Sequence, residues 1–270
     1  VRNEMYIHEK KITTIISDLD GTLLGEKKEL DPVLFSVIGE LKRNGVEFVA
    51  ASGRQYKNMR LMFEPIAEGL PFICENGSLV VKNDKTLYVE CIPKELAFEL
   101  LEDMASIPGT ETIVSSDREL YTLACRESFI RYMRDLFKPE IMTVEDYREI
   151  PGEFNKLSIW WPEGIPEAEE KWFHEKYDGR LLATDSGNGW LDFTMEGVNK
   201  GAALRHLAAL EGFSLQEALC FGDSENDIPM FRECALSFAM ERSRSHVKTA
   251  ADAVCGNVGD MLREFLANAE

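Results

Sequence analysis

The sequence predicts an α/β protein, a parallel-sheet core interrupted by a smaller inserted α/β unit, and two observations predict it. Short apolar runs rich in β-branched residues alternate with helical patterns from Lys11 to Ser78 and again from Asn199 onward. The stretch between them reads instead as paired strands with fewer crossovers. Strand, helix, strand, helix, strand is the order that right-handed crossovers turn into a parallel sheet.

The elements follow in order. "KITTIIS", from Lys11 to Ser17, is continuous and β-branched, as in a strand covered on both faces. Asp31-Pro32 reads as an N-cap followed by proline at the first helical position, with Leu34, Val37, Ile38 and Leu41 on one face and Gly45 at the end. "VEFVAAS" is the next strand, "GRQYKNMRLMFEPI" a second helix, and "PFICENGS" a third strand that stops at the Asn76-Gly77 turn. A Rossmann-like core is the architecture these elements build.

From about Val81 the texture changes. "LVVKNDKTLYV" reads as a hairpin, "PKELAFELLEDMA" as a helix, "ETIVSS" and "ELYTLA" as strands, and "ESFIRYMRDLF" as a helix. "NKLSIWW", "RLLATD" and "WLDFTM" are further strands, with the helix "PEAEEKWFHEKY" among them. The core then resumes with the helix "NKGAALRHLAALEG", the buried strand "EALCFGD", the short helix "NDIPMFREC" and the strand "ALSFAM". The expected bounds are 1–90 and 196–270 for the core and 91–195 for the insert.

Composition restricts function without naming one. The 270 residues are 44% hydrophobic, enough for a sizeable core. With 48 acidic against 30 basic residues the net charge is −18, which disfavours nucleic acid and anionic membranes as partners. No window approaches the roughly 18 apolar residues that span a bilayer, and the polar start lacks the hydrophobic centre of a secretory signal, so a cytoplasmic location is expected. The cysteines form no C-x-x-C pair and several sit in apolar runs, where a reduced thiol packs as a small hydrophobe.

Ligands of an open parallel sheet bind beyond the carboxyl ends of its strands. Three predicted strands end there in reactive polar residues: Asp18 and Asp20 after "IIS", Ser52 after "FVAA", and Asp223 after "LCFG". Lys200 opens the helix leading into the last of them. Because side chains at i and i+2 of an extended segment point the same way, Asp18 and Asp20 are expected to address one centre, and their repulsion calls for a neutralising charge.

This set resembles the haloacid dehalogenase (HAD) superfamily at all of its motifs: "DLDGTLL", the Ser52 of "ASGR", the Lys200 of "NKG", and "GDSENDIPM". The place of the insert is similar to that in Cof-type phosphatases with a type-2 cap. The resemblance implies a HAD-type phosphatase in which Asp18 is the nucleophile, forming an aspartyl phosphate, and Asp20 the general acid and then base. It implies Mg2+ held by Asp18, Asp223 and the backbone carbonyl of Asp20. Ser52 and the N–H groups of Gly53 and Arg54 would hold phosphoryl oxygens, together with Lys200 and Asn226, and Asp227 would orient the lysine. Arg54 is open between a phosphate contact and a salt bridge, and Asn76-Gly77 reads as a tight turn. Where many Cof-type chains carry Met-Gly-Asn-Ala, this one has "FAMERSRS".

The substrate implied is a small phosphorylated metabolite, sugar phosphates first, with selectivity supplied by the insert. Strand alternation puts Leu157, Ile159 and Trp161 on one face and Lys156, Ser158 and Trp160 on the other, with Trp190, Asp192 and Thr194 beside them. Trp160, Lys156 and Asp192 are the candidate specificity residues: an open indole stacks on a sugar ring while the charged pair binds hydroxyls, or the indole completes packing between domains. A phosphomutase of similar architecture and a non-catalytic binding protein are the alternatives.

Overall fold

The apolar run at the start of the chain does not form one strand. In the structure, a computed structural model that describes residues 5–25, 29–116, 119–123, 126–137 and 141–267, β1 (Met5–Ile7) and β2 (Lys10–Ile12) make an antiparallel ribbon with Met5 opposite Ile12. His8 and Glu9 turn it at φ 47° and 64°, the left-handed pair of a tight hairpin. The core strand begins afresh at β3 (Thr14–Asp18). The expectation of a strand over Lys11 to Ser17 is thereby corrected. β3 is buried at every residue, and the lysines of β2 escape such a position by pairing outside the main sheet.

Helix α1 (Pro32–Arg43) starts where the sequence requires, the Asp31 carboxylate accepting from the Val33 N–H at 2.9 Å, and buries Leu34, Val37, Ile38 and Leu41. Then come β4 (Glu47–Ala51), α2 (Tyr56–Met62) and β5 (Pro71–Cys74). The second helix is shorter than its sequence pattern, because Pro65 has no N–H to continue the ladder and the chain passes into a single 3-10 turn over Glu64–Ile66. Strands β6 (Leu79–Lys82) and β7 (Lys85–Val89) turn at Asn83 and Asp84, with φ 53° and 57°. This hairpin belongs to the core sheet as its outer edge, which moves the change of texture from Val81 to Val89.

The intervening segment comprises α3 (Lys94–Ala105), β8 (Glu111–Ser116), β9 (Leu120–Leu123), α4 (Glu127–Phe137), β10 (Ile141–Val144), β11 (Phe154–Trp160), α5 (Glu167–Tyr177), β12 (Leu181–Gly187) and β13 (Trp190–Met195). The chain returns through α6 (Lys200–Glu211), β14 (Ala218–Gly222), α7 (Ile228–Phe231), β15 (Leu236–Met240), α8 (Ser245–Ala250), β16 (Ala253–Cys255) and α9 (Val258–Ala267). It divides into two compact units, one running up to Tyr88 and on from Asn199, the other Val89–Val198.

The first unit is an eight-stranded sheet in the order β16-β15-β14-β3-β4-β5-β6-β7. Its strands from β16 to β5 are parallel. From β3 the chain winds one way into β4 and β5 and later returns on the other side as β14. The carboxyl ends of β3 and β14 therefore flank the point where winding reverses, where a crevice opens in such sheets. The second unit has the order β10-β9-β8-β11-β13-β12. Leu157, Ile159, Leu191 and Phe193 face its main core with Phe173 and Tyr177 of α5. Among the cysteines, Cys74, Cys91, Cys220, Cys234 and Cys255 are free thiols; Cys125 lies outside the described residues.

Candidate active site

Register alone brings the two outer motifs together. Phe221 of β14 lies opposite Ser17 of β3, so the next residues of each strand place Asp18 beside Gly222 and Asp223 just beyond. Asp18, at the buried end of β3, is 5% exposed. Lys200, 1% exposed, opens α6, where Asn199 accepts from the Ala202 N–H at 2.8 Å. Its ammonium stands 2.6 Å from Asp18 Oδ1 and 2.6 Å from Asp227 Oδ1. Asp227 Oδ2 accepts from the backbone N–H groups of Asp223 and Ser224 at 2.8 and 3.0 Å. Both oxygens of Asp227 are thus engaged, and the residue holds the lysine and the start of the fourth motif in place.

These contacts set the electrostatics. Burial is the largest influence on Asp18 and pushes its carboxyl up to about 8, against the pull of Lys200 and with the repulsion of Asp227 and Asp223. Burial works to lower Lys200, but its two carboxylate partners outweigh it and raise the ammonium above its ordinary value. Asp223 is raised as well, by burial first and by Asp227, while Ser224, Lys200 and Arg242 oppose the shift.

The site fits a hard cation. Asp18, Asp223 and Asp227 bring oxygens within 4.8 Å of one another. With Asp227 engaged, Asp18 Oδ2 and the Asp223 carboxylate remain, and Asp18 Oδ2 is buried without a hydrogen-bond partner. An orphaned buried carboxylate oxygen facing a second carboxylate is a donor set for an oxygen-seeking divalent ion. Gly21, at φ 84°, packs so closely that a Cβ there would lie 2.1 Å from Asp223 Oδ2, so only glycine fits between the first motif and the fourth.

Asp20 departs from the sequence expectation. After Asp18 the chain leaves the extended conformation for a tight loop over Leu19–Leu23, so alternation along a strand no longer governs where Asp20 points. Its carboxylate is held by Arg54, Nε to Oδ2 and Nη2 to Oδ1, both at 2.6 Å. This resolves Arg54 as a salt bridge, and Asn58 Oδ1, 2.9 Å from Nη1, fixes the guanidinium in turn. Ser52 is buried, and its hydroxyl accepts from the Arg54 N–H at 3.2 Å. That N–H, expected to be free for phosphate, is therefore occupied, and α2 begins only at Tyr56.

Two contributors escaped the sequence reading. Asn76, read as a turn residue, sits at φ 57°, and its Oδ1 accepts from Asn226 Nδ2 at 3.0 Å. A Cβ on Gly53 would meet the Asn76 amide at 2.9 Å, so Asn76 touches the second and fourth motifs together. Arg242 donates from Nε and Nη2 to the Gly21 carbonyl at 2.9 and 2.6 Å. The only signal for it lay in the departure "FAMERSRS".

The three specificity candidates lie in the second unit. Lys156 and Asp192 share the expected face, but they pair with each other at 3.3 Å and are nearly buried. Ser186 Oγ donates to Asp192 Oδ2 at 2.8 Å. Trp160 is corrected more sharply: it is not an open indole. It stacks on Tyr132 and Phe129 of α4 at 4.8 and 5.3 Å and on Trp190 at 6.1 Å, and its Nε1 donates to the Asn188 carbonyl. Helix α4 brings Phe129 and Met133 onto this end of the sheet, an apolar match that strand alternation alone does not reveal.

A doubly wound sheet with a buried aspartate–lysine pair at its switch point is an arrangement found in hydrolases of the α/β class. The chain belongs to the haloacid dehalogenase-like hydrolases, whose family model matches residues 15–260. It is 30% identical over 241 residues to the 5-amino-6-(5-phospho-D-ribitylamino)uracil phosphatase YbjI of Escherichia coli, covering 89% of each chain. It is 23% identical to the pyridoxal phosphate phosphatase YbhA of the same organism, covering 93% of this chain and 96% of that one. Its fold is similar to TM0651 of Thermotoga maritima, with a TM-score of 0.83, 26% identity and coverage of 94% and 97%. The subclass IIB sugar phosphatase BT4131 shares the fold with a TM-score of 0.76, 21% identity and coverage of 94% and 98%. The chain is an enzyme that hydrolyses phosphate monoesters. No helix among the described residues is long and apolar enough to cross a membrane.

Proposed function

We propose that this enzyme is a magnesium-dependent phosphatase of small phosphorylated metabolites, sugar phosphates first among them, acting in the cytoplasm. The observation that carries the reading is the asymmetric state of Asp18: Lys200 holds Oδ1 while Oδ2 is buried and unpartnered. The lysine orients the carboxylate and leaves an oxygen free at the site where cation and phosphate would meet.

A carboxylate oxygen of Asp18 attacks phosphorus, the bond to the leaving oxygen breaks, and Asp20 gives that oxygen a proton. Water oxygen then bonds to phosphorus, the bond to Asp18 breaks, and Asp20 takes the water proton. Lys200 keeps its charge beside the transferring group, and Ser52, Gly53 and Asn226 surround the phosphoryl oxygens. Asp18, Asp223 and the Asp20 backbone carbonyl would hold Mg2+, which supplies positive charge that lets the two carboxylates and a phosphate share one site. In a chain of net charge −18, local cations must reverse the average field before an anionic substrate enters. The inserted unit is read as a cap, with Lys156 and Asp192 as its candidate polar contacts.

Inorganic phosphate release from a panel of phosphorylated metabolites, with Mg2+ and with EDTA, on wild type and Asp18→Asn, tests the reading. Magnesium-dependent release that Asp18→Asn abolishes is expected. A wild type that releases phosphate only with a bisphosphate activator, or not at all, overturns it.

A further inference from the structure

Arg242 uses its charge in an unusual way for so acidic a chain. It forms no ion pair with a carboxylate among the described residues, although Asp223 is close enough for its field to be felt. Instead Nε and Nη2 both converge on one neutral acceptor, the Gly21 carbonyl. Arg242 follows β15, and β14 lies between β15 and β3 in the sheet, so the side chain reaches across the end of β14, where Asp223 sits, to the loop that follows Asp18. The segment that carries it is itself tied down: the Glu241 N–H donates to the Cys255 carbonyl at 2.9 Å and the Ser243 N–H to the Met240 carbonyl at 2.9 Å.

From this geometry we infer that Arg242 is a positioning residue: it staples the Leu19–Leu23 loop against Asp223 and so fixes the spacing of the two carboxylates that form the cation site. The space at Gly21 makes that spacing sensitive, since no room for even a methyl group separates the loop from Asp223. Asp20, whose carbonyl is read as a further ligand, immediately precedes Gly21, so a loop released from Arg242 lets that carbonyl and Asp223 drift apart. The inference rests on the metal part of the proposed function.

A staple and a simple charge predict opposite signs. Removing a cation beside Asp223 tightens metal binding if only the field matters. Removing a two-donor grip weakens it whatever the charge. Mn2+ binding is read by calorimetric titration of the full chain, without substrate, on wild type, Arg242→Gln and Arg242→Lys. Arg242 is exposed, so both variants are expected to keep the wild-type melting temperature in the absence of metal. The staple predicts a rise in Kd of about fivefold or more in both, because neither variant can make the paired Nε and Nη2 contacts to the Gly21 carbonyl. Wild-type or tighter binding by Arg242→Gln, or wild-type binding by Arg242→Lys, overturns the inference. A wild type that takes up no Mn2+ overturns it together with the metal reading, whereas phosphate release is judged separately by the substrate panel.

Discussion

Arg54 grips both carboxylate oxygens of Asp20 at 2.6 Å, so the group read as acid and base is oriented by a residue of the second motif. Bidentate pairs of this kind fix direction as well as distance. Lysine in place of Arg54 keeps the charge but only one point of attachment. Arg54→Lys is expected to lower kcat about tenfold or more with KM little changed, from a loss of roughly 1.5 kcal/mol or more of charge-assisted bonding. Steady-state kinetics on one metabolite check it, and an unchanged kcat removes the role.

Lys200 neutralises two buried carboxylates. Lys200→Met leaves Asp18 and Asp227 facing each other without a countercharge, and loss of one member of such a group costs about 3–5 kcal/mol. Urea denaturation is expected to show a fall of that order, with phosphate release abolished. A stable but inactive variant would separate the catalytic role of the lysine from its structural one.

Stability in EDTA carries a pH signature. With no metal bound, burial pushes the Asp18 carboxyl from the ordinary 3.8 up to about 8. Between those values the folded state binds more protons than the unfolded chain, so the contribution of Asp18 is fully present below the lower value and declines as pH rises through the upper one. Melting temperature in EDTA is expected to fall from pH 6 to pH 9, and Asp18→Asn to flatten that slope.

Gly77 holds a position no other residue fits. Its φ is 105°, and a Cβ would lie 2.4 Å from the Asn199 carbonyl, next to Lys200. Gly77→Ala is expected to cost about 1–3 kcal/mol and, by pushing the start of α6, to reduce kcat as well. Thermal melts and turnover on the same preparation measure both.

Trp160 is expected to act through packing. Trp160→Ala removes stacking on Phe129, Tyr132 and Trp190, and a half-buried aromatic of this kind is worth roughly 2 kcal/mol. The melting temperature should drop while KM for sugar phosphates holds. A raised KM with unchanged stability would restore the direct substrate contact.

The sequence by itself determined the class of the sheet and the positions of the four motifs, Asp18 among them. It could do so because strand burial, helix capping at Asp31, and carboxylates at strand ends are local consequences of residue type and spacing. Only the tertiary structure decided which groups meet: Arg54 on Asp20, Arg242 on the Gly21 carbonyl, Asn76 on Asn226, and α4 over Trp160. Each of these joins segments that the chain folds together through the sheet or through helix packing. Pairing at such range depends on where backbones come to lie in space, and that is fixed by the packing of the whole unit rather than by any single stretch of residues.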